Sequence, residues 1–131
     1  MIRSAKEFVF LRNSVEPSLY SRAAHEDAPL AVWIEVIDRY PEMRSWVAHN
    51  RTIPAAVLEV LSVDPDPQVR LAIAMKRKLP VGLLEQLSTD PNDSVRLAIA
   101  RHWAASDQLL RRMAELDPWS EVRLVAGERL A

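Results

Sequence analysis

The sequence contains no cysteine, which excludes disulfides, thiolate metal sites and cysteine-held iron–sulfur clusters. It has only two glycines and no segment in which apolar and polar residues alternate, so little of it can be sheet. Neither sign of charge dominates. Seventeen Lys and Arg face eighteen Asp and Glu, for a net charge of −1. A chain that holds nucleic acid by whole-molecule attraction is far more basic, so any such binding has to rest on a local patch. Also missing is an apolar run near the roughly 20 residues that a bilayer-spanning helix needs. The opening residues, Met1 to Glu7, are charged and lack the apolar centre of a secretory signal. The expectation is a soluble cytoplasmic protein whose 131 residues form one domain, with an apolar fraction of 49% available for its core.

What is present is a repeat. Val-Arg occurs at Val69-Arg70, Val95-Arg96 and Val122-Arg123, preceded by Met43-Arg44, at spacings of 26, 26 and 27 residues. Pro29, Pro54 and Pro80 keep the same beat, with Ser106 in the fourth copy. So do Asp64-Pro65, Asp90-Pro91 and Asp117-Pro118, where the earliest copy has Tyr40-Pro41. Between these landmarks the apolar spacing is helical. Val69, Ala72 and Ile73 stand at i, i+3, i+4, as do Val95, Ala98 and Ile99, and, earlier, Met43, Trp46 and Val47. A second set comprises Val32, Trp33 and Val36; Val57, Leu58 and Leu61; Leu83, Leu84 and Leu87; and Leu109, Leu110 and Met113.

Pro54 and Pro80 suit a first helical turn, where a missing N–H costs nothing. The residue before each later proline is pushed out of the α region, so the Asp-Pro pairs close a helix. Each unit is then two short helices, neither able to bury its stripe alone, and stacked neighbours share one core. Ser4 to Glu7 reads as a capping box opening a helix with Phe8 and Leu11, an N-terminal cover within residues 1–16. Residues 17–131 hold the repeats, beginning with a degenerate half-unit from Pro17 to His25.

Val69-Arg70-Leu71-Ala72-Ile73-Ala74, followed by Pro80, Leu84, Leu87 and Asp90, together with Val47-Ala48-His49-Asn50-Arg51-Thr52-Ile53-Pro54, carries a resemblance. It resembles the leucine-rich repeat variant family and, more broadly, HEAT-like α-solenoids, over roughly residues 20–131. The resemblance implies an all-α, short right-handed superhelix of about four 26-residue two-helix repeats, with one helix per repeat able to be 3₁₀. It also implies that the recurring Asp and Arg hold neighbouring turns in register. A founding type of the variant family carries a cysteine-held iron–sulfur module, and the absence of cysteine removes that cofactor here. Fold alone says nothing of activity.

The candidate functional residues lie where the repeats differ. The loops after the Val-Arg helices hold His49-Asn50-Arg51, Lys76-Arg77-Lys78 and Arg101-His102-Trp103. Arg51, Lys76, Arg77, Lys78, His102 and Trp103 therefore form a possible anion-binding edge. Cations also suit helix C-termini, at roughly 0.3–1 kcal/mol each, which explains the edge without a ligand. A second set is the row Leu71 and Leu97, about 160° around the helix from Val69 and Val95, with His49, Met75 and Arg101 beside it. This row either packs against the next repeat or lines a concave partner-binding face. Trp33 and Trp46 fall on core positions, and Ser120 is placed to cap the last helix.

His25, His49 and His102 lie in different units without metal-ligand spacing, and no nucleophile–base arrangement stands out. No catalytic residue, metal or cofactor is expected. Trp103 and Asp107, four residues apart, are similar in kind to the aromatic-plus-carboxylate site of HEAT-like DNA glycosylases, a reading that requires a deep cleft. The leading expectation is a non-enzymatic adaptor or scaffold binding a protein; the alternative is nucleic acid or another polyanion on the basic edge.

Overall fold

The computed structural model describes residues 1–131. Ten α-helices and one 3₁₀ turn make up its regular structure, and there is no strand. They are α1 (Ala5–Asn13), α2 (Pro17–His25), α3 (Leu30–Arg39), α4 (Arg44–His49), α5 (Ala55–Leu61), α6 (Pro67–Ala74), α7 (Val81–Leu87), α8 (Asp93–Ala100), α9 (Asp107–Leu116) and α10 (Ser120–Leu130), with the 3₁₀ turn at Pro41–Met43 leading into α4. Both helices of each repeat are thus α-helical, and 3₁₀ geometry is confined to that turn. No helix is long and apolar enough to cross a membrane. The chain forms two compact units, Met1–Asp64 and Pro65–Ala131.

In the first unit, α1 packs on α2 and α3, and α4 packs on α2, α3 and α5. The helix start at Ser4 is as expected: its hydroxyl accepts from the Glu7 N–H at 3.1 Å. The return bond goes to Arg3, whose N–H donates to the Glu7 carboxylate at 3.0 Å. Phe8 and Leu11 are buried, and Phe8 meets Trp33 edge-on with ring centroids 5.4 Å apart. Aromatic pairs favour this geometry because the ring edge is positive and the face negative.

In the second unit, α8 contacts both α6 and α10, so the Val-Arg helices lie side by side. Helix α7 packs on α8 and α9 packs on α10. The spaced apolar sets of α5, α7 and α9 (Val57, Leu58, Leu61; Leu83, Leu84, Leu87; Leu109, Leu110, Met113) are buried as predicted. On the Val-Arg helices the buried arc is turned. Val69, Ile73 and Ala74 are buried, as are Val95, Ile99 and Ala100, so positions i, i+4 and i+5 form the core. Position i+3 is only half-buried at Ala72 and Ala98. The arc turns toward the arginine at i+1, because that side chain is itself held inside.

Arg44, Arg70 and Arg96 reach forward to the aspartate of the next repeat rather than back to their own. Arg70 Nε lies 2.8 Å from Asp90 Oδ2, Arg96 Nε 2.9 Å from Asp117 Oδ2, and Arg44 Nη1 3.4 Å from Asp64 Oδ2. A second bond ties the arginine to its own loop, as from Arg96 Nη1 to the Asp90 carbonyl at 2.8 Å and from Arg123 Nη1 to that of Asp117 at 2.7 Å. Burial works against the Arg96 charge, but hydrogen bonds to Asp117 and Asp93 outweigh it and hold its pKa above the ordinary arginine value. Asp64, Asp90 and Asp117 are buried, each against the arginine of the preceding repeat.

Three local expectations change. Pro54 and Pro80 sit at the N-cap, one residue before the helices they introduce. Ser120 is the first helical residue of α10, whose N-cap is Trp119 without a side-chain cap. Trp46 is 38% exposed. It occupies the i+3 position of α4, which the turned arc leaves at the surface, and the Arg12 guanidinium covers its ring at 3.3 Å.

Candidate functional site

In the second unit a groove of about 560 Å³ opens beside α6 and α8. Its walls bring together Leu71 and Met75 from one side, Leu97 and Arg101 from the other, and Arg77 and Trp103 from the loops that follow. Four residues of the expected partner-binding row and three of the expected anion-binding edge, His102 included, thus share one groove. Small side chains make the space: Ala74, Ala98 and Ser94 also line it.

The groove is built from the helix ends outward. Asp66 and Asn92 cap α6 and α8, with side-chain oxygens accepting from the Gln68 N–H at 2.8 Å and the Ser94 N–H at 2.9 Å. At the other ends, Met75 and Arg101 are the C-cap residues. Their side chains leave the helix just where its apolar stripe stops, and both are exposed. Leu71 and Leu97 are half-buried, so the row both packs and lines the groove.

The loops are pinned by two bonds that each reach back 26 residues. His102 Nε2 lies 2.7 Å from the Lys76 carbonyl, and Trp103 Nε1 donates to the Arg77 carbonyl at 2.7 Å. The Ala104 N–H donates to His102 Nδ1 at 3.1 Å, which leaves Nε2 as the protonated nitrogen. His102 is therefore a buried imidazole with both nitrogens engaged. It leaves the set of anion-binding candidates, because its chemistry is spent on the loop. Its ring stacks on Trp103, with centroids 6.3 Å apart. Trp103 is 65% exposed and offers an apolar face, its only donor being used.

Charge in the groove is one-sided. Arg77 and Arg101 line it and no carboxylate does. The arginines of the repeat core are paired with aspartates, whereas neither of these two has a carboxylate within ion-pair distance. The Arg77 guanidinium lies 6.0 Å from the Trp103 ring centroid. Asp107 does not line the groove, so the Trp103–Asp107 pairing is not assembled there.

Other expected residues lie elsewhere. Lys78 is exposed outside the groove lining, and Lys76 contributes its carbonyl to His102. His49 and Arg51 belong to the first unit. His49 lines a groove of about 430 Å³ with Arg12, Tyr20 and Trp46, and its ring lies 5.6 Å from that of Trp46. Arg51 is exposed, and its backbone N–H donates to the Ala24 carbonyl at 2.9 Å. The two grooves sit at one register: Trp46 and His49 of α4 correspond to Ala98 and Arg101 of α8, fifty-two residues on. Where the first unit has indole under a guanidinium, the second has open space.

The residues missed by the spacing are Ala98, Ser94, Arg12 and Tyr20. Ala98 carried a signal, since it stands where an earlier copy has tryptophan. Arg12 carried none, because α1 lies outside the repeat. The chain is all-helical, and its sequence carries the internal pattern described above. No family model, no curated protein and no solved structure matches it.

Proposed function

We propose that this protein is a non-enzymatic protein-interaction module, an adaptor or scaffold, that receives a partner in the groove formed by Leu71, Met75, Leu97, Arg101 and Trp103. The observation that carries the reading is the coincidence of an apolar floor with exposed anchors. Met75 is 71% and Trp103 65% exposed, and aromatic, methionine and arginine side chains are those that interfaces concentrate. The pattern quoted above supports a leucine-rich repeat variant or HEAT-like arrangement, a short right-handed α-solenoid; the lateral succession of α6, α8 and α10 agrees with it.

Nucleic-acid or polyanion binding through Lys76, Arg77 and Lys78 is the second reading, favoured by the exposed indole beside Arg77. Capture of proteins from native lysate by the immobilised chain tests both. Met75→Glu, an exposed change, is expected to abolish retention of a specific partner at unchanged thermal stability. Retention unaffected by Met75→Glu would take the groove out of the function. Retention of nucleic acid alone, lost at moderate salt, would establish the second reading.

A further inference from the structure

We infer that the groove beside α6 and α8 recognises an acidic, apolar segment of its partner: carboxylates clasped by Arg77 and Arg101 around a large apolar side chain seated between Leu71, Met75 and Leu97. This rests on the protein-interaction reading and specifies its chemistry.

Three observations converge. The first is electrostatic. In a chain with eighteen acids to seventeen bases, a groove lined by two guanidiniums and no carboxylate departs from the whole-molecule balance. Arg70 and Arg96 show what arginine does in this fold when an anion is present: each takes a carboxylate through Nε and Nη2 together. Arg77 and Arg101 have the same fork and no such partner. The second is the floor. Leucine and alanine side chains with an exposed methionine suit an aliphatic or aromatic side chain, and methionine adapts its shape to what it meets. A helix laying its apolar face in such a groove would place carboxylates on either flank.

The third is that the groove offers few other polar groups: the Ser94 hydroxyl is the one neutral side-chain donor left open. His102 and the Trp103 N–H are already bonded to backbone carbonyls. The groove therefore presents two cations, an apolar surface and a single neutral hydroxyl, too few neutral groups to read a base edge.

The test uses the full chain and a labelled helical peptide of leucine, phenylalanine and glutamate. Control peptides replace every glutamate by lysine, or every apolar residue by serine, and a single-stranded oligonucleotide stands for a polyanion. Two variants report on the groove. Arg101→Ala removes an exposed cation. Ala98→Trp fills the space, and Trp46 at the same register of α4 shows that the repeat accommodates an indole there. Circular dichroism confirms that each variant is folded.

The acidic apolar peptide is expected to bind, to weaken about tenfold with Arg101→Ala, and to be lost with Ala98→Trp, while both control peptides fail. Equal binding of the lysine peptide overturns the inference. So does binding indifferent to Ala98→Trp, or an oligonucleotide that binds more tightly than the peptide. If Ala98→Trp and Met75→Glu abolish capture of a native protein but Arg77→Ala and Arg101→Ala do not, and the acidic peptide is not bound, the acidic preference falls and the interaction module stands. If capture survives all four, both fall.

Discussion

Arg96 and Arg44 occupy the same position of the repeat and are held very differently. Arg96 is 5% exposed and bonded to Asp117, Asp93 and a carbonyl; Arg44 is half-buried, 3.4 Å from Asp64. Removing one partner of a buried pair leaves the other charge stranded, at a cost of about 3–5 kcal/mol. Arg96→Met is therefore expected to lower the unfolding free energy by about that amount, and Arg44→Met by about 1–2 kcal/mol, because water reaches its site. Chemical denaturation of the two variants checks the ranking, and equal losses would contradict it. The sequence made the arginines and aspartates visible as structural residues. It did not show which aspartate each arginine takes, because the pairing runs twenty or twenty-one residues forward and the nearer aspartate, six residues back, is equally regular.

Among elements, the loop that ends α4 is tied to α2 by the Asn50 side-chain amide, beside the backbone bond from Arg51 to Ala24. Asn50 is fully buried, and its Nδ2 donates to the carbonyls of Ala23 at 2.8 Å and Glu26 at 2.9 Å. Its Oδ1 accepts from the Thr52 N–H at 2.8 Å. Asn50→Ala removes the amide donor to the Ala23 carbonyl and the acceptor of the Thr52 N–H, and is expected to cost about 2–4 kcal/mol. Amide exchange checks the location: protection should fall first in α2 and α4, and uniform loss across the chain would refute a local role. Helix placement was legible because prolines and aspartates punctuate a 3.6-residue period. The direction of the buried face was not. A stripe at i, i+3, i+4 cannot announce that the i+1 arginine is drawn inside, and the turn of the arc is what brings Trp46 to the surface and leaves Ala98 lining an open groove.

For the molecule as a whole, near-neutral net charge hides local asymmetry, in the groove and also at the start of the chain. Arg22 and, at 2.9 Å, the Met1 ammonium bind the Glu26 carboxylate. The Arg22 bond first, then that of the ammonium, lowers its pKa to about 2 against the opposing effect of burial. A carboxylate with a lowered folded pKa stabilises fully above its unfolded value and loses that contribution as pH falls toward the folded one. The gap in thermal midpoint between the native chain and Glu26→Gln should therefore be widest near neutrality and close between about pH 5 and about pH 2. A gap independent of pH would remove the carboxylate from acid stability. At this scale the groove was only half legible. Both of its residue sets were visible as departures from the repeat, but their meeting in one place depends on small side chains, of which only Ala98, standing where an earlier copy has tryptophan, carried a signal.

The forward reach of the arginines has one more consequence. Because Arg44, Arg70 and Arg96 each donate to the aspartate that follows, an internal repeat carries one half of two joints of the same residue types. The longer spacing before the last unit is taken up by α9, ten residues against seven in α5 and α7. A tandem copy of one 26-residue block would offer the same joint on both sides. The number of units is then a quantity that duplication can change one step at a time, while the side chains lining each groove are free to diverge.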